Sequence, residues 1–378
     1  MPSKARAALV AAVLAVGAAA FAGAAQAAPA IHAHRGGTVL HGKPTYAEET
    51  LDSYRNAAAN GFVFEVDAKL TGDGIPVAIH DATLDRTSTC TGEVRSFTRA
   101  ALRGCRLDVL GSPGGGLRTR AVKPRGSIPT IAEVLELARV TGAKVNLEIK
   151  NVPTDPDYDP TPAYANRVMD VVVAAGLPRS QLLIQSFIPA NLDAAKRRLA
   201  GVPTSLLTFP AGPAEIAVAL DKGYTWLSPR WPIAIDFVRE AHRHDKLVAP
   251  YTINERAEAK AAGRADVDAL ITDDPSMVAG ALGLRPVEGL TARLTRRGAR
   301  VDVSGRLLVP RRKLCTGAVT LRVLAGKRAV RFSRTRLARD CTYAVATQAP
   351  RGARLRATVG FGGNDHLLPR LIGPRPVR

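Results

Sequence analysis

The stretch FEVDAKLTGDGIPVAIHD, Phe64 to Asp81, decides the fold. It reads as strand, turn and strand, but its polar residues are oddly placed for that. Glu65 and Asp67 sit two apart inside an apolar run, and His80-Asp81 closes the next one. Successive strand side chains alternate faces, so the two carboxylates point to the same side. Phe62, Phe64 and Val66 make the other side apolar. Two acids projecting together into an interior repel unless something positive lies between them. All-oxygen ligation favours a hard divalent cation, Ca²⁺ or Mg²⁺, over zinc.

Outward from that stretch, β-rich runs alternate with alanine-rich helical patterns between Ile31 and Asp274. The runs are AIHAH, FVFEVD, IPVAIH, VNLEI, LLIQSF, TSLLTF, YTWLS, LVAPYT and DALIT, with patterns such as TIAEVLELARVTG and YANRVMDVVVAAGLP between them. Alternation over about 250 residues predicts a parallel α/β sheet, open or closed into a (β/α)8 barrel. Nine runs are one more than the barrel needs. The link LTGDG is too short for a parallel crossover, so IPVAIH either hairpins back or enters the ring irregularly. Residues 82–127 lack a clear period, carry Cys90 and Cys105, and read as a looped insertion.

Charge and cysteines divide the rest. Residues 1–28 have a basic start (Lys4, Arg6), an apolar small-residue run and AQA at 25–27, the pattern of a cleaved secretory signal peptide. Residues 29–284 carry equal numbers of acidic and basic groups, whereas 285–378 hold 22 Lys and Arg against 4 Asp and Glu, a formal +18. Two domains are expected. The second alternates at period two through ARVDVSGRLLV, AVTLRVL, RAVRFSR, CTYAVAT and RLRATVGF, which predicts a small all-β sandwich or barrel. A chain ending at Leu284 is expected to fold without it. Export into an oxidising compartment gives the four cysteines meaning, and of three pairings the local one, Cys90–Cys105 and Cys315–Cys341, is expected. No C-x-x-C or H-x-x-x-H spacing points to zinc.

Candidate chemistry gathers at strand ends. Glu148 in NLEIK is a third acid in a strand pattern, with Lys150 on its face. His34 and His80 each end an apolar run, where the carboxyl ends of parallel strands meet the active site, and read as a general acid and base pair.

In order along the chain, AHRGG, AEET, FEVDAKLTGDGIPVAIHD, LDRTSTCTGEV, LEIK, QSF and ALITDDP resemble the glycerophosphodiester phosphodiesterase family over roughly residues 31–280. The resemblance implies a TIM barrel with an insertion, a divalent metal, and hydrolysis of glycerophosphodiesters to glycerol 3-phosphate and an alcohol. Residue by residue it implies metal ligation by Glu65, Asp67 and Glu148, catalysis by His34 and His80, and a phosphate contact from Arg35. Glu48 matches the acid of the family's P-E-N-T segment, and Lys150 a basic position near the phosphate. Ala47 and Glu49 stand where the family has Pro and Asn, and Tyr251 where Trp is usual; none is a ligand position or either histidine.

Two other readings compete: a related barrel phospholipase acting on intact lipid, and a non-catalytic secreted protein that binds anionic polymers. The basic tail is expected either to hold phosphate-rich cell-wall polymers or phospholipid, or to be a solvated arginine-rich surface. Nucleic acid is not expected, because export removes the usual targets and no stacking aromatic array is present.

Overall fold

The computed structural model describes residues 28–110, 119–120, 126–309, 311–326, 328–364 and 366–377. Residues 1–27 of the expected signal peptide (1–28) and the GSPGGG run lie outside the described residues. Every one of the nine β-rich runs forms a strand. In chain order the elements are β1 (Ala30–Ala33), α1 (Leu51–Ala59), β2 (Val63–Leu70), β3 (Pro76–Ala78), α2 (Ile131–Thr141), β4 (Val145–Ile149), α3 (Ala163–Ala175) and β5 (Leu182–Ser186). They continue with α4 (Pro189–Arg198), β6 (Thr204–Thr208), α5 (Pro213–Lys222), β7 (Trp226–Pro229), α6 (Ile235–Arg243), β8 (Leu247–Val248), α7 (Arg256–Arg264), β9 (Ala269–Thr272) and α8 (Pro275–Ala281).

Eight strands are parallel neighbours in the order β8-β7-β6-β5-β4-β2-β1-β9. Backbone bonds from Asp268 N to Val248 O (2.9 Å) and Ile271 N to Pro250 O (3.0 Å) bring the two ends of that sheet together. The result is a nearly closed (β/α)8, or TIM, barrel. The ninth strand, β3, hairpins back antiparallel on β2, pairing Ala68 with Ala78 and Leu70 with Pro76. Thr71 N reaches Ile75 O at 3.1 Å and Gly74 adopts φ +74°, so a short glycine turn settles what the length of the link left open.

Helix signals are local. Thr130 caps α2 in a reciprocal capping box with Glu133, and Gly142 ends the helix in a left-handed conformation; a cap of this kind is worth about 1 kcal/mol. The helices bury their apolar faces against the sheet, with Phe64, Val66, Val145, Leu147 and Ile184 fully covered. The inner side of the barrel is more polar. Asn146 Nδ2 donates to Gln185 Oε1 (2.8 Å) and lies 3.2 Å from His32 Nδ1. The described residues of 82–127 hold two 3-10 turns and short ladders over a separate small core of Leu84, Val94, Leu102 and Leu107, closed by Cys90–Cys105.

After the barrel come β10 (Gly289–Leu290), β11 (Arg293–Arg297), β12 (Arg300–Leu308), β13 (Ala318–Ala325), β14 (Arg328–Arg336), β15 (Thr342–Gln348), β16 (Leu355–Phe361) and β17 (Arg370–Pro376). They form two antiparallel sheets, β10-β12-β11 with β15 beside β12, and β14-β13-β16-β17. Their shared core includes Val301, Leu321 and Phe361, with Cys315 bonded to Cys341. The period-two reading found β12 to β16. It missed β10 and β11, which are short or arginine-rich, and β17, which contains a proline.

This all-β unit is not a loose appendage. Leu368 enters the barrel's own core. Arg322 Nη1 donates to Arg139 O at 2.7 Å, Arg322 Nη2 to Gln181 Oε1 at 2.9 Å, and Thr358 Oγ1 to Val140 O at 2.8 Å. Arg139 and Val140 lie in the last turn of α2, which leads into β4, and Gln181 directly precedes β5, so the tail sits on the amino-terminal floor of the barrel, opposite the carboxyl-terminal mouth. A chain ending at Leu284 would uncover that floor.

Candidate active site

Strand register builds the centre. Glu65 and Asp67 share the inward face of β2, and Glu148 on β4 is the register partner of Asp67. The three carboxylates each offer an oxygen within 4.8 Å of the others, and all are buried. Burial, with the charges of Asp67 and Glu148, pushes Glu65 well above the usual carboxylate range. Burial likewise pushes Glu148 up to about 7, although Lys150 pulls against it. Asp67 goes the other way: burial opposes its charge, but Lys150, His80 and Arg35 hold it well below the usual range. Three bare negative charges are more than this pocket can hold.

Two of the oxygens, Asp67 Oδ2 and Glu148 Oε1, are buried yet accept no hydrogen bond. Arg35 Nε lies 3.5 Å from the first and Lys150 Nζ 3.0 Å from the second, near enough for Coulomb attraction but not aligned for donation. Unsatisfied carboxylate oxygens facing one another fit a hard cation. Gln185 Nε2 donates to Glu65 Oε1 at 2.8 Å and the Arg35 backbone N–H to Glu65 Oε2 at 2.9 Å, which fixes that carboxylate's plane.

Around the acids stand cations and histidines. His34 follows β1 directly, and Arg35 adopts φ +51°, a left-handed turn that swings its guanidinium over the pocket toward Glu48 and Asp67. Burial disfavours its charge, but those carboxylates keep Arg35 above its ordinary range. Nδ1 of His34 lies 2.8 Å from Asp273 Oδ1, just after β9, and Nδ1 of His80 lies 2.5 Å from Asp81 Oδ1. Burial and the nearby charges of Arg35 and Lys150 lower the His80 pKa to about 4. In both rings the carboxylate at Nδ1 sets the tautomer, so Nε2 is the atom that exchanges protons.

The structure brings all eight sequence-derived candidates to this mouth. Glu48 is separate in role: it is gripped by Arg35 and, through both carboxylate oxygens, by Arg86 at 2.8 and 3.2 Å. Several neighbours escaped the sequence reading. Arg86 also pairs with Asp81. Glu49, noted only as a departure from a motif, is fully buried, accepts from the Tyr54 hydroxyl and accepts from Asp67 N at 3.1 Å. Burial and the charges of Asp67 and Glu65 push its carboxyl well up. Gln185 lay within the QSF segment and Asp273 within ALITDDP, but no spacing rule linked either to its partner.

Comparison with known proteins agrees with this geometry. Residues 34–277 match the model of the "Glycerophosphoryl diester phosphodiesterase family". A glycerophosphodiester phosphodiesterase of Caldanaerobacter subterraneus is 26% identical over 249 residues, covering 64% of this chain and 93% of that protein. Glycerophosphodiester phosphodiesterase 1 of Bos taurus is 39% identical over 104 residues, covering 27% of this chain and only 28% of that protein's length. Among solved structures, an Oleispira antarctica phosphodiesterase in complex with the product sn-glycerol-3-phosphate superposes with a TM-score of 0.55 at 23% identity, over 68% of this chain and 97% of that one. A likeness at that identity speaks for the barrel alone.

Proposed function

The chain belongs to the glycerophosphoryl diester phosphodiesterase family, and we propose that it hydrolyses glycerophosphodiesters to glycerol 3-phosphate and an alcohol with the aid of a divalent cation. The observation that carries this reading is the convergence of Glu65, Asp67 and Glu148 beside two aspartate-oriented histidines, inside the segment that matches the family.

The three carboxylates would hold Ca²⁺ or Mg²⁺, which when bound supplies positive charge for the phosphate oxygens. Arg35 and Lys150 add fixed positive charge at the same mouth, where burial removes competing water and strengthens each contact. Glu48, clamped between Arg35 and Arg86, holds the Arg35 guanidinium in place. His80, neutral at pH 7, is suited to take a proton from the nucleophile, which is water or the neighbouring glycerol hydroxyl. His34 then delivers a proton from Nε2 to the leaving alkoxide, with Asp273 stabilising its charged form. With water as nucleophile, His80 afterwards gives its proton to solvent and His34 takes one up; with the glycerol hydroxyl, a cyclic phosphate forms and water opens it with the two roles exchanged, which restores both histidines.

Export belongs to the same reading. It is supported by the basic, apolar and small-residue order of residues 1–28 and by two disulfides, which suit an oxidising compartment. The +18 tail we read as a retention surface for anionic cell-wall polymer or phospholipid, both rich in phosphate. The test of the catalytic reading is release of glycerol 3-phosphate from a panel of diesters, with and without chelator. Release that stops on chelation and returns with Ca²⁺ or Mg²⁺ supports it; no release from any diester in the presence of either cation overturns it.

A further inference from the structure

The floor of the barrel carries a second concave surface that the chemistry above does not use. Between that floor and the sheet β14-β13-β16-β17 runs a groove of about 1520 Å³, larger than the roughly 300–1,000 Å³ of a small-molecule pocket. Its shape follows from how the sheet is anchored. Thr358 on β16 and Arg322 on β13 bond to the barrel, and Leu371 on β17 packs against its core. Among its described residues the far edge strand, β14, has no bond to the barrel.

On β14 the side chains of Val330, Phe332 and Arg334 line the gap, and Phe332 is 61% exposed. An aromatic side chain left in water on an edge strand has apolar area to give to a ligand. The charge of the groove is one-sided. Arg139, Lys144, Arg322, Arg331 and Arg334 line it, and no Asp or Glu among the described residues does. Arg139 has Glu136 as a partner, but the two bonds of Arg322 go to neutral acceptors, which leaves its charge without a carboxylate among the described residues and its other N–H groups available. Burial and the neighbouring Arg139 lower the Arg322 pKa, as expected where positive charge is in excess.

We propose that this groove binds a single-chain anionic amphiphile, its phosphate held by Arg322, Arg331, Arg334 and Lys144 and its acyl chain lying along Val330, Phe332 and Leu371. A bare phosphate polymer would use the cations but leave the apolar wall wet, and a neutral lipid would leave the cations unmatched. The chain length matters as much as the charge, because each buried methylene adds to binding. This inference stands apart from the catalytic reading, since the groove lies at the opposite end of the barrel from His34 and His80.

The test uses the full-length protein and a phosphomonoester probe, which a diesterase does not turn over. Dodecyl phosphate, kept below its critical micelle concentration, is titrated by calorimetry beside inorganic phosphate and dodecyl maltoside. The expected result is saturable binding of dodecyl phosphate, with both controls at least about 100-fold weaker. Phe332→Ser and the pair Arg331→Glu/Arg334→Glu should each weaken it at least about tenfold. The pair Arg351→Glu/Arg354→Glu makes the same charge change outside the groove and should leave it unchanged. Absence of dodecyl phosphate binding, or equal loss in both charge-reversal pairs, would overturn the proposal. The groove variants should hydrolyse glycerophosphodiesters at the unaltered rate, which separates a failure here from a failure of the catalytic reading.

Discussion

The two ends of the molecule use charge in opposite ways. At the barrel mouth acids and bases interlock: Glu48 lies between Arg35 and Arg86, Asp67 between Arg35 and Lys150, and Asp273 holds His34. Most of these groups are buried, so removing one leaves its partner uncompensated in low dielectric. On the tail the charge is predominantly positive, mostly exposed, and screened within about 10 Å at 0.1 M salt. The difference teaches that charge count is a poor guide to chemistry. The end with balanced charge has the raised, buried carboxyl groups and the unsatisfied carboxylates, while the end with +18 has neither an acid cluster nor a histidine pair among its described residues.

Substitutions at the mouth should therefore be costly and specific. His34→Ala and His80→Ala are each expected to lower kcat by about 10²–10⁴-fold while leaving the fold and cation binding intact. Steady-state kinetics with calorimetric titration checks both, and near-normal turnover in either would remove that histidine from the mechanism. Asp273→Asn should do less, about 10–100-fold, because it disturbs the orientation and tautomer of His34 without deleting the ring. Its loss should fall on kcat more than on KM, and an equal loss in a His34→Ala background would show that Asp273 acts elsewhere.

A subtler effect is thermodynamic. Glu148 is raised from 4.5 to about 7 in the folded, cation-free protein. Between those values the native state holds a proton that the unfolded state has released, so stability is present below pH 4.5 and declines as pH rises toward 7. Cation-free wild type should thus lose Tm relative to Glu148→Gln between pH 5 and 8, and saturating Ca²⁺ should reverse the loss. Parallel Tm curves for the two proteins would deny that Glu148 carries the strain.

The smallest expected effect on catalysis comes from the tail. Raising salt from 0.1 to 0.5 M should release the protein from anionic vesicles or cell wall while kcat/KM for small diesters changes less than about twofold. Co-sedimentation together with an activity assay reads both. Retention that ignores salt would make the tail's charge irrelevant to it.

How much of this was legible in the sequence depends on distance along the chain. Glu65 and Asp67 were readable because strand alternation is a two-residue rule, and the hairpin only half so, because its turn geometry rests on Gly74. The partnership of Asp273 with His34 spans 239 residues and exists only because β9 comes to lie beside β1 on ring closure. Arg86 sat in an aperiodic insertion, and Glu49 looked like a motif mismatch until its burial against Tyr54 and Asp67 appeared. The docking of the tail was invisible for the same reason: Arg322 and Arg139 O meet across 183 residues, whereas composition had marked only a boundary.

The central claim is that Glu65, Asp67 and Glu148 hold one divalent cation on which hydrolysis depends. Calorimetric titration of cation-free protein with Ca²⁺ and with Mg²⁺, beside the variant Glu65→Gln/Asp67→Asn, tests it most directly. The account predicts one saturable site per chain for at least one of the two ions, glycerol 3-phosphate release that rises with its occupancy, and loss of both in the variant. Full turnover by rigorously chelated protein, or stoichiometric binding that survives the double substitution, would contradict it.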